Sequence, residues 1–191
     1  MEYDAYTLRK KLLIAASLGI LVLLCLEAWS PWTMWRYRGD AKLSDAGFFA
    51  YPRYMLTFSD VPLYQAGQYR FRLQGVPNEE MTLMLYVKNS SGSEDERARL
   101  TKLPTSIDAV LTDSRGNDVC RASGRPKDSN EDGIWVLMSG SEAAYWQWQC
   151  RDVPIHSRES YNLVIGVSSP DQNGEKVVVT PTFQGGGVEL P

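Results

Sequence analysis

Three cysteines are the residues of this 191-residue chain best suited to covalent chemistry. Cys120 and Cys150 each end a segment with strand-like alternation, and paired cysteines outside the cytoplasm are usually oxidised. The pattern predicts a disulfide between Cys120 and Cys150. Two separate buried thiols are the alternative, and a cytoplasmic location would favour them.

A second group of residues has the oxygen spacing of a calcium loop. Asp128, Asn130 and Asp132 alternate before Gly133, which permits a sharp turn. Ser139 stands where an EF-hand needs a bidentate glutamate, and no helical pattern flanks the loop, so an EF-hand is excluded. The sequence leaves open a simpler calcium loop or a solvated acidic turn. We expect calcium to bind weakly or not at all, and we expect no other cofactor.

The residues that enzymatic catalysis would need do not form a known arrangement. His156 is the one histidine in the sequence, so a multi-histidine metal site is excluded. Ser157, Ser160 and Asp152 lie near it, but no nucleophile elbow or glycine-lined oxyanion site accompanies them. The sequence therefore predicts a protein that is not an enzyme, with a small hydrolase as the remaining alternative.

The overall composition is that of a folded protein without affinity for nucleic acid. Hydrophobic residues make up 43% of the chain and charged residues 23%, which argues against disorder. The 20 basic and 23 acidic side chains give a net charge of -3. Such a balance does not support the broad basic surface that binding of nucleic acid requires.

The first 40 residues have the pattern of a membrane segment. A basic run at 9–11 precedes Leu12–Leu26, which carries no formal charge. A bilayer core needs about 20 helical residues, and this length predicts an uncleaved signal-anchor that forms one transmembrane helix over 12–35. Amphipathic rings gather at headgroup depth, and the predicted interfacial collar consists of Trp29, Trp32, Trp35 and Tyr37.

Two other interpretations of the N-terminal segment are open. A cleaved signal peptide fits the basic run, although Leu26 and Ala28 fill only one of the two small positions at a cleavage site. Lipidation of Cys25 is disfavoured because Leu24 precedes it. Lysine and arginine are equal in number on the two sides of the segment, so charge does not set the orientation. The long polar part follows the segment, and we therefore place the N-terminus in the cytoplasm and the C-terminal domain outside, in the periplasm if the protein is bacterial.

The chain beyond residue 41 alternates with the period of β-strands. Tyr69, Phe71 and Leu73 fall on one face of a strand, whereas Arg70 and Arg72 fall on the other. Alternation recurs in the predicted strands Tyr54–Phe58, Ile107–Leu111 and Tyr161–Val167, and a further strand is predicted at Ile134–Met138. The strands predicted at Met81–Val87 and Val177–Val179 are apolar on both faces, as is typical of central strands. About nine short strands with little helix predict sheet packed on sheet.

The predicted fold is mainly β, an antiparallel β-sandwich of Ig-like or jelly-roll type behind the transmembrane helix. Turn residues at 113–117, 139–141 and 169–174 predict hairpins, and the polar segment 89–99 is predicted to be a loop. The pattern of residues 65–86 resembles that of several secreted jelly-roll and Ig-like modules. The predicted organisation is a cytoplasmic N-terminus at 1–11, the anchor at 12–35, a juxtamembrane linker at 36–50 and an extracytoplasmic sandwich at 51–191.

These features favour an anchored binding protein. The first hypothesis is an interaction or assembly protein, an accessory subunit of a membrane complex whose partner is another membrane or extracytoplasmic protein. The alternative is a glycan- or lipid-binding module that uses Tyr145 and Trp135 as stacking platforms. If Trp146 and Trp148 point inward, then Tyr145 and Gln147 point outward, because side chains alternate along a strand.

Overall fold

The computed structural model describes residues 10–11, 13–22, 36–47, 50–125, 136–139, 144–147, 153–170 and 176–186. In these ranges the chain is mainly β, which confirms the fold class predicted from alternation. The strands are β1 (Arg38–Gly39), β2 (Lys42–Asp45), β3 (Tyr54–Thr57), β4 (Val61–Pro62), β5 (Gly67–Gln74), β6 (Glu80–Val87), β7 (Ser106–Thr112), β8 (Asp118–Gly124), β9 (Val136–Ser139), β10 (Ala144–Gln147), β11 (Val153–Pro154), β12 (Ser160–Ser168) and β13 (Val178–Gly185). One short helix, Glu94–Leu100, lies between β6 and β7.

The strands form two antiparallel sheets. Sheet A has the order β1-β5-β12-β7-β8. Sheet B has the order β2-β3-β13-β6-β10-β9, with β4 paired to β13 and β11 paired to β6. The chain repeatedly crosses from one sheet to the other, and β7–β8 and β9–β10 are hairpin neighbours within a sheet.

One of the predicted hairpins is wrong. The segment 169–174 joins β12 to β13, but β12 lies in sheet A and β13 lies in sheet B. Turn residues mark where a strand ends, but they do not determine which strand pairs with it. The hairpin predicted at 113–117 is confirmed, because β7 and β8 are antiparallel neighbours. There the Asp113 Oδ1 accepts hydrogen bonds from the backbone N–H groups of Arg115 and Asn117 at 2.8 and 2.9 Å.

A single core of buried side chains draws on both sheets, as expected of a sandwich. Phe58, which follows β3, contacts Phe71 of sheet A with ring centroids 4.9 Å apart, and Phe183 of sheet B at 6.1 Å. Trp146 is fully buried on the inner face of β10. Aromatic rings from the two sheets therefore meet between them and account for much of the buried apolar area.

The N-terminal segment is described only in part. Residues 10–11 and 13–22 are helical, whereas Trp29, Trp32 and Trp35 of the predicted collar lie outside the described residues. Within the ranges described, no helix combines the length and the apolar character needed to cross a bilayer.

The sandwich begins earlier than the sequence predicted. Residues 36–50 were expected to be a linker, but β1 pairs with β5 and β2 pairs with β3 inside this range. Tyr37, expected at the membrane interface, packs against the core, and its hydroxyl accepts a hydrogen bond from the N–H of Ala41 at 3.1 Å. Short strands with at most one large apolar residue carry too weak a periodicity to be recognised from sequence.

The segment 89–99, predicted to be a loop, contains the short helix. Ser93 caps it by accepting a hydrogen bond from the N–H of Glu96 at 3.3 Å. The Glu96 Oε2 in turn accepts hydrogen bonds from the N–H groups of Ser91 and Gly92 at 2.9 and 3.0 Å, and from the Ser90 hydroxyl at 2.8 Å. The buried carboxylate therefore orders the turn that leads into the helix.

Candidate binding face of the larger sheet

The outer face of sheet B has an uncharged centre. The register places three rows of side chains across it: Tyr145–Tyr86–Thr180, Gln147–Met84–Thr182–Thr57 and Thr82–Gln184–Met55–Ser44. We call these eleven residues the neutral face. Among the residues described, charged side chains lie at its margins: Lys42 on edge strand β2, Glu80 and Lys88 at the two ends of β6, and Asp60, which accepts a hydrogen bond from the Thr180 hydroxyl at 2.7 Å.

Met84 is a buried residue of the neutral face that lies outside the core. Its side chain is only 7% exposed, yet it does not belong to the core cluster, to which its neighbours Leu83 and Leu85 contribute. Side chains alternate along β6, so Met84 lies on the outer side with Thr82 and Tyr86. A buried apolar side chain outside the core forms the floor of a depression in the outer surface.

Two tyrosines lie side by side on the neutral face. Tyr86 of β6 and Tyr145 of β10 are directly opposite each other in the ladder, and their ring centroids lie 5.2 Å apart at an interplanar angle of 41°. Burial raises the pKa of Tyr86, and the nearby Tyr145 adds to this effect. The phenol of Tyr86 therefore remains neutral, and it donates a hydrogen bond to the Gln184 Oε1 at 3.1 Å.

A shallow cleft adjoins the tyrosine pair. It has a volume of about 240 Å³ and is lined by Tyr51, Pro52, Thr82, Met84, Gln147, Gln184 and Gly185. The hydrogen bond from Tyr86 orients the Gln184 amide, whose nitrogen remains a donor. Tyr51 is 58% exposed at the rim. The cleft thus combines amide and hydroxyl groups with an apolar floor and the exposed ring of Tyr51, and such polar and apolar groups occur together in small-molecule sites.

The outer face of sheet A has a different chemistry. Its strands present Arg70, Arg72, Asp108 and Arg121 outward, and Asp118 forms an ion pair with Arg121 at 2.9 Å. Charged side chains of both signs are typical of a solvated surface. The lack of charge at the centre of sheet B therefore distinguishes the neutral face from an ordinary outer sheet surface.

The cysteine and calcium predictions are tested only in part. Cys120 is buried on the inner face of β8 and belongs to the core cluster. Cys150, Asp128, Asn130 and Asp132 lie outside the described residues, as does Trp135. In the described part of the chain, no group of three or more His, Cys, Asp or Glu side chains is arranged to hold a metal ion.

The hydrogen bonds around His156 stabilise a turn. The side chain of His156 is exposed, and its backbone N–H donates a hydrogen bond to the hydroxyl of Tyr161 at 2.9 Å. Burial raises the pKa of this buried phenol. The backbone N–H of Ser157 donates instead to the side-chain oxygen of Asn78 at 2.6 Å. These contacts fix the turn before β12.

The sequence predicted the outward side chains of β10 on the neutral face, but not Tyr86 and Gln184. The parity expected of β10 is confirmed for its described residues, since Trp146 is buried while Tyr145 and Gln147 are half-exposed. Tyr86 was missed because the sequence predicts Met81–Val87 to be apolar on both faces, and Gln184 was missed because the strand predicted at Val177–Val179 ends before it. The polar members Thr82 and Tyr86 alternate with Met81, Leu83 and Leu85, and this alternation was the available signal.

No protein-family model matches this chain, and no curated protein is similar to it at a significant level. The candidate site therefore rests on the geometry of the neutral face alone.

Proposed function

We propose that this protein is a membrane-anchored, non-enzymatic binding protein that recognises an uncharged glycan through the neutral face. The observation that carries the proposal is the Tyr86–Tyr145 pair beside a cleft bordered by Gln147 and Gln184. Sugar rings present C–H groups that pack on aromatic faces, and hydroxyls that pair with amides. The lack of charge at the centre of the face favours a neutral ligand over an anionic one.

The experiment is a screen of the full-length protein against immobilised neutral oligosaccharides, followed by calorimetric titration of any glycan that binds. The protein should be held in nanodiscs, because detergents with sugar headgroups would compete for the site. Tyr145→Ala and Gln147→Ala should each weaken binding by about tenfold or more, equivalent to about 1.4 kcal/mol. Gln68→Ala, on the outer face of sheet A, is the matched control and should leave the affinity unchanged.

The second candidate function is an accessory subunit that binds another membrane or extracytoplasmic protein. The mixture of tyrosines, methionines and glutamines on the neutral face also suits a protein partner, because aromatic residues and methionine are enriched in interfaces. Crosslinking in membranes would then yield one protein partner that Tyr145→Ala loses, and the glycan screen would show no binding. Binding of a glycan that survives both Tyr145→Ala and Gln147→Ala would contradict the use of the neutral face.

The proposed anchor places the sandwich outside the cytoplasm, with the N-terminus inside. Support comes from the apolar composition of 12–26 and from residues 13–22, in which six apolar side chains are at least half exposed. Protease added to sealed spheroplasts should then digest the chain beyond residue 40. Protection until the cells are lysed would contradict this orientation.

The proposed fold type is a jelly roll. Apart from the short edge strands β1 and β2, the first and last strands, β3 and β13, are neighbours in sheet B, whereas an Ig-like sandwich has its first and last strands in opposite sheets. The orders β3-β13-β6-β10 and β5-β12-β7-β8 give the eight strands in two sheets that a jelly roll has. The proposed disulfide would join these sheets, since Cys120 points inward from sheet A and Cys150 follows β10 of sheet B.

A further inference from the structure

The chain enters the sandwich directly after the proposed membrane span. That span ends at residue 35, and β1 begins at Arg38. β1 pairs antiparallel with β5, so that Arg38 lies opposite Gln74 and Gly39 lies opposite Leu73. The first residues of the domain therefore form the edge of sheet A, next to β5.

Several contacts fix this entry to β5. The N–H of Asp40 donates a hydrogen bond to the carbonyl of Arg72 at 3.0 Å, and the N–H of Arg72 donates to the carboxylate of Asp40 at 2.7 Å. Gly75 has a φ of +67° and packs so closely that a Cβ there would overlap the carbonyl oxygen of Arg36. Because residues 36–40 are held on the sheet, β5 must lie close to the point where the chain leaves the bilayer.

Basic residues are concentrated at this edge. Arg36, Arg38, Arg70 and Arg72 are exposed there, and Asp40 is the one acidic side chain within residues 36–40 and β5. The acidic side chains of the same face lie on the far strands, where Asp108 bonds Ser123 and Asp118 pairs with Arg121. We call Arg36, Arg38, Arg70 and Arg72 the arginine edge.

We propose that the arginine edge contacts anionic phospholipid headgroups and holds sheet A against the membrane. An arginine beside an anionic bilayer gains binding energy that falls off within a Debye length, so only residues close to the surface contribute. The fixed entry of the chain brings these four residues close to that surface. The inference rests on the anchor proposed above and is independent of the glycan proposal.

The orientation leaves the neutral face accessible. Sheets A and B form opposite sides of the sandwich, so contact of lipid with the outward-pointing arginines of β1 and β5 leaves the outer face of sheet B away from the membrane. A binding protein that is fixed in this way presents its site to the space beyond the membrane.

The test is photocrosslinking of the full-length protein in nanodiscs made of phosphatidylcholine with or without phosphatidylglycerol. A benzophenone amino acid replaces Gln74, next to the arginine edge, or Thr57, on the neutral face. After irradiation, mass spectrometry measures the lipid attached at each position. We expect phosphatidylglycerol to attach at position 74 and little lipid at position 57, with less attachment at high salt.

Charge variants complete the test. The double variant Arg70→Gln/Arg72→Gln should lower attachment at position 74 by about fivefold or more, the effect of about one lost arginine at an anionic surface. Arg121→Gln removes one positive charge from far strand β8 and should not lower it. Equal attachment with and without phosphatidylglycerol, or an equal loss in Arg121→Gln, would overturn the proposal. A chain that does not enter nanodiscs would overturn it together with the anchor, but would leave the glycan proposal intact.

Discussion

Asp40 and Arg72 exchange two hydrogen bonds at the start of the sandwich, each backbone N–H donating to an oxygen of the other residue. The two residues are far apart in sequence, and Asp40 belongs to a segment that the sequence marks as a linker. Their pairing makes residues 36–40 part of sheet A and ties the N-terminal segment to the body of the domain.

Gly75→Ala should release this attachment. A Cβ at position 75 overlaps the Arg36 carbonyl, and the φ of +67° adds backbone strain. Gly116→Ala is the control, because its φ of +82° brings the same strain with nothing near the added Cβ. Urea unfolding should show a cost of about 1–2 kcal/mol for Gly116→Ala and a larger one for Gly75→Ala. Trypsin should cleave after Arg38 faster in Gly75→Ala than in the unmodified protein, and Gly116→Ala should not change this rate. Equal cleavage rates in the two variants would contradict the close contact between Gly75 and the Arg36 carbonyl.

Adjacent positions on β10 should differ greatly in their effect on stability. Trp146 is fully buried, so Trp146→Ala should cost about 3–5 kcal/mol. Tyr145→Ala removes a half-exposed ring and its contact with Tyr86, and should cost about 1 kcal/mol. Chemical denaturation measures both, and Trp146→Phe provides a milder variant if the alanine variant does not fold. Similar costs at the two positions would contradict the assigned inner and outer faces.

Glu96 should make the stability depend on acid pH. Burial raises the pKa of Glu96, but the hydrogen bonds from Ser90, Ser91 and Gly92 together lower it below the ordinary value. A carboxyl with a lowered pKa in the folded state stabilises the fold above its unfolded-state pKa, and this contribution is lost as the pH falls through the folded-state pKa.

The variant Glu96→Gln tests this effect. Near neutral pH it should lower the free energy of unfolding by about 1–2 kcal/mol, and the difference from the unmodified protein should shrink on acidification below the ordinary pKa of glutamate. Glu94→Gln, an exposed residue of the same helix, should change stability little at either pH. A difference for Glu96→Gln that stays constant with pH would show that the charge of this carboxylate is unimportant.

Reduction should destabilise the domain if Cys120 and Cys150 are bridged. The loop between them should give the disulfide a stabilising effect of about 3–4 kcal/mol. The double variant Cys120→Ser/Cys150→Ser should lose the same amount and become insensitive to reductant, whereas Cys25→Ser should behave as the unmodified protein. Three thiols alkylated in the unreduced, denatured protein would disprove the bridge.

Calcium should bind weakly or not at all at Asp128–Gly133. Oxygens from the three side chains of Asp128, Asn130 and Asp132, with the carbonyl of Ile134 at the seventh position of the loop, fall short of the six to eight ligands that calcium takes. Calorimetric titration of the full-length protein should therefore give a dissociation constant well above about 10⁻⁶ M, the range of calcium sensors. A tighter constant that is lost in both Asp128→Ala and Asp132→Ala would identify a built ion site.

The sequence alone determined the local features of this protein. Alternation placed Phe71 and Leu73 inward and Arg70 and Arg72 outward on β5, as the structure has them, because side-chain direction in a strand depends only on position along it. The same local rule set the faces of Tyr145 and Trp146. Turn residues likewise fixed the Asp113–Asn117 hairpin, whose hydrogen bonds lie within five residues.

The tertiary structure alone decided which strands are neighbours. The Tyr86–Tyr145 pair exists because β6 lies beside β10, and the Asp40–Arg72 pair exists because β1 lies beside β5. Any two strands offer the same backbone donors and acceptors, so a pairing is selected by the packing of the whole core. A site built across strands, such as the neutral face, therefore depends on contacts between residues that are far apart in sequence. Local periodicity does not predict such contacts.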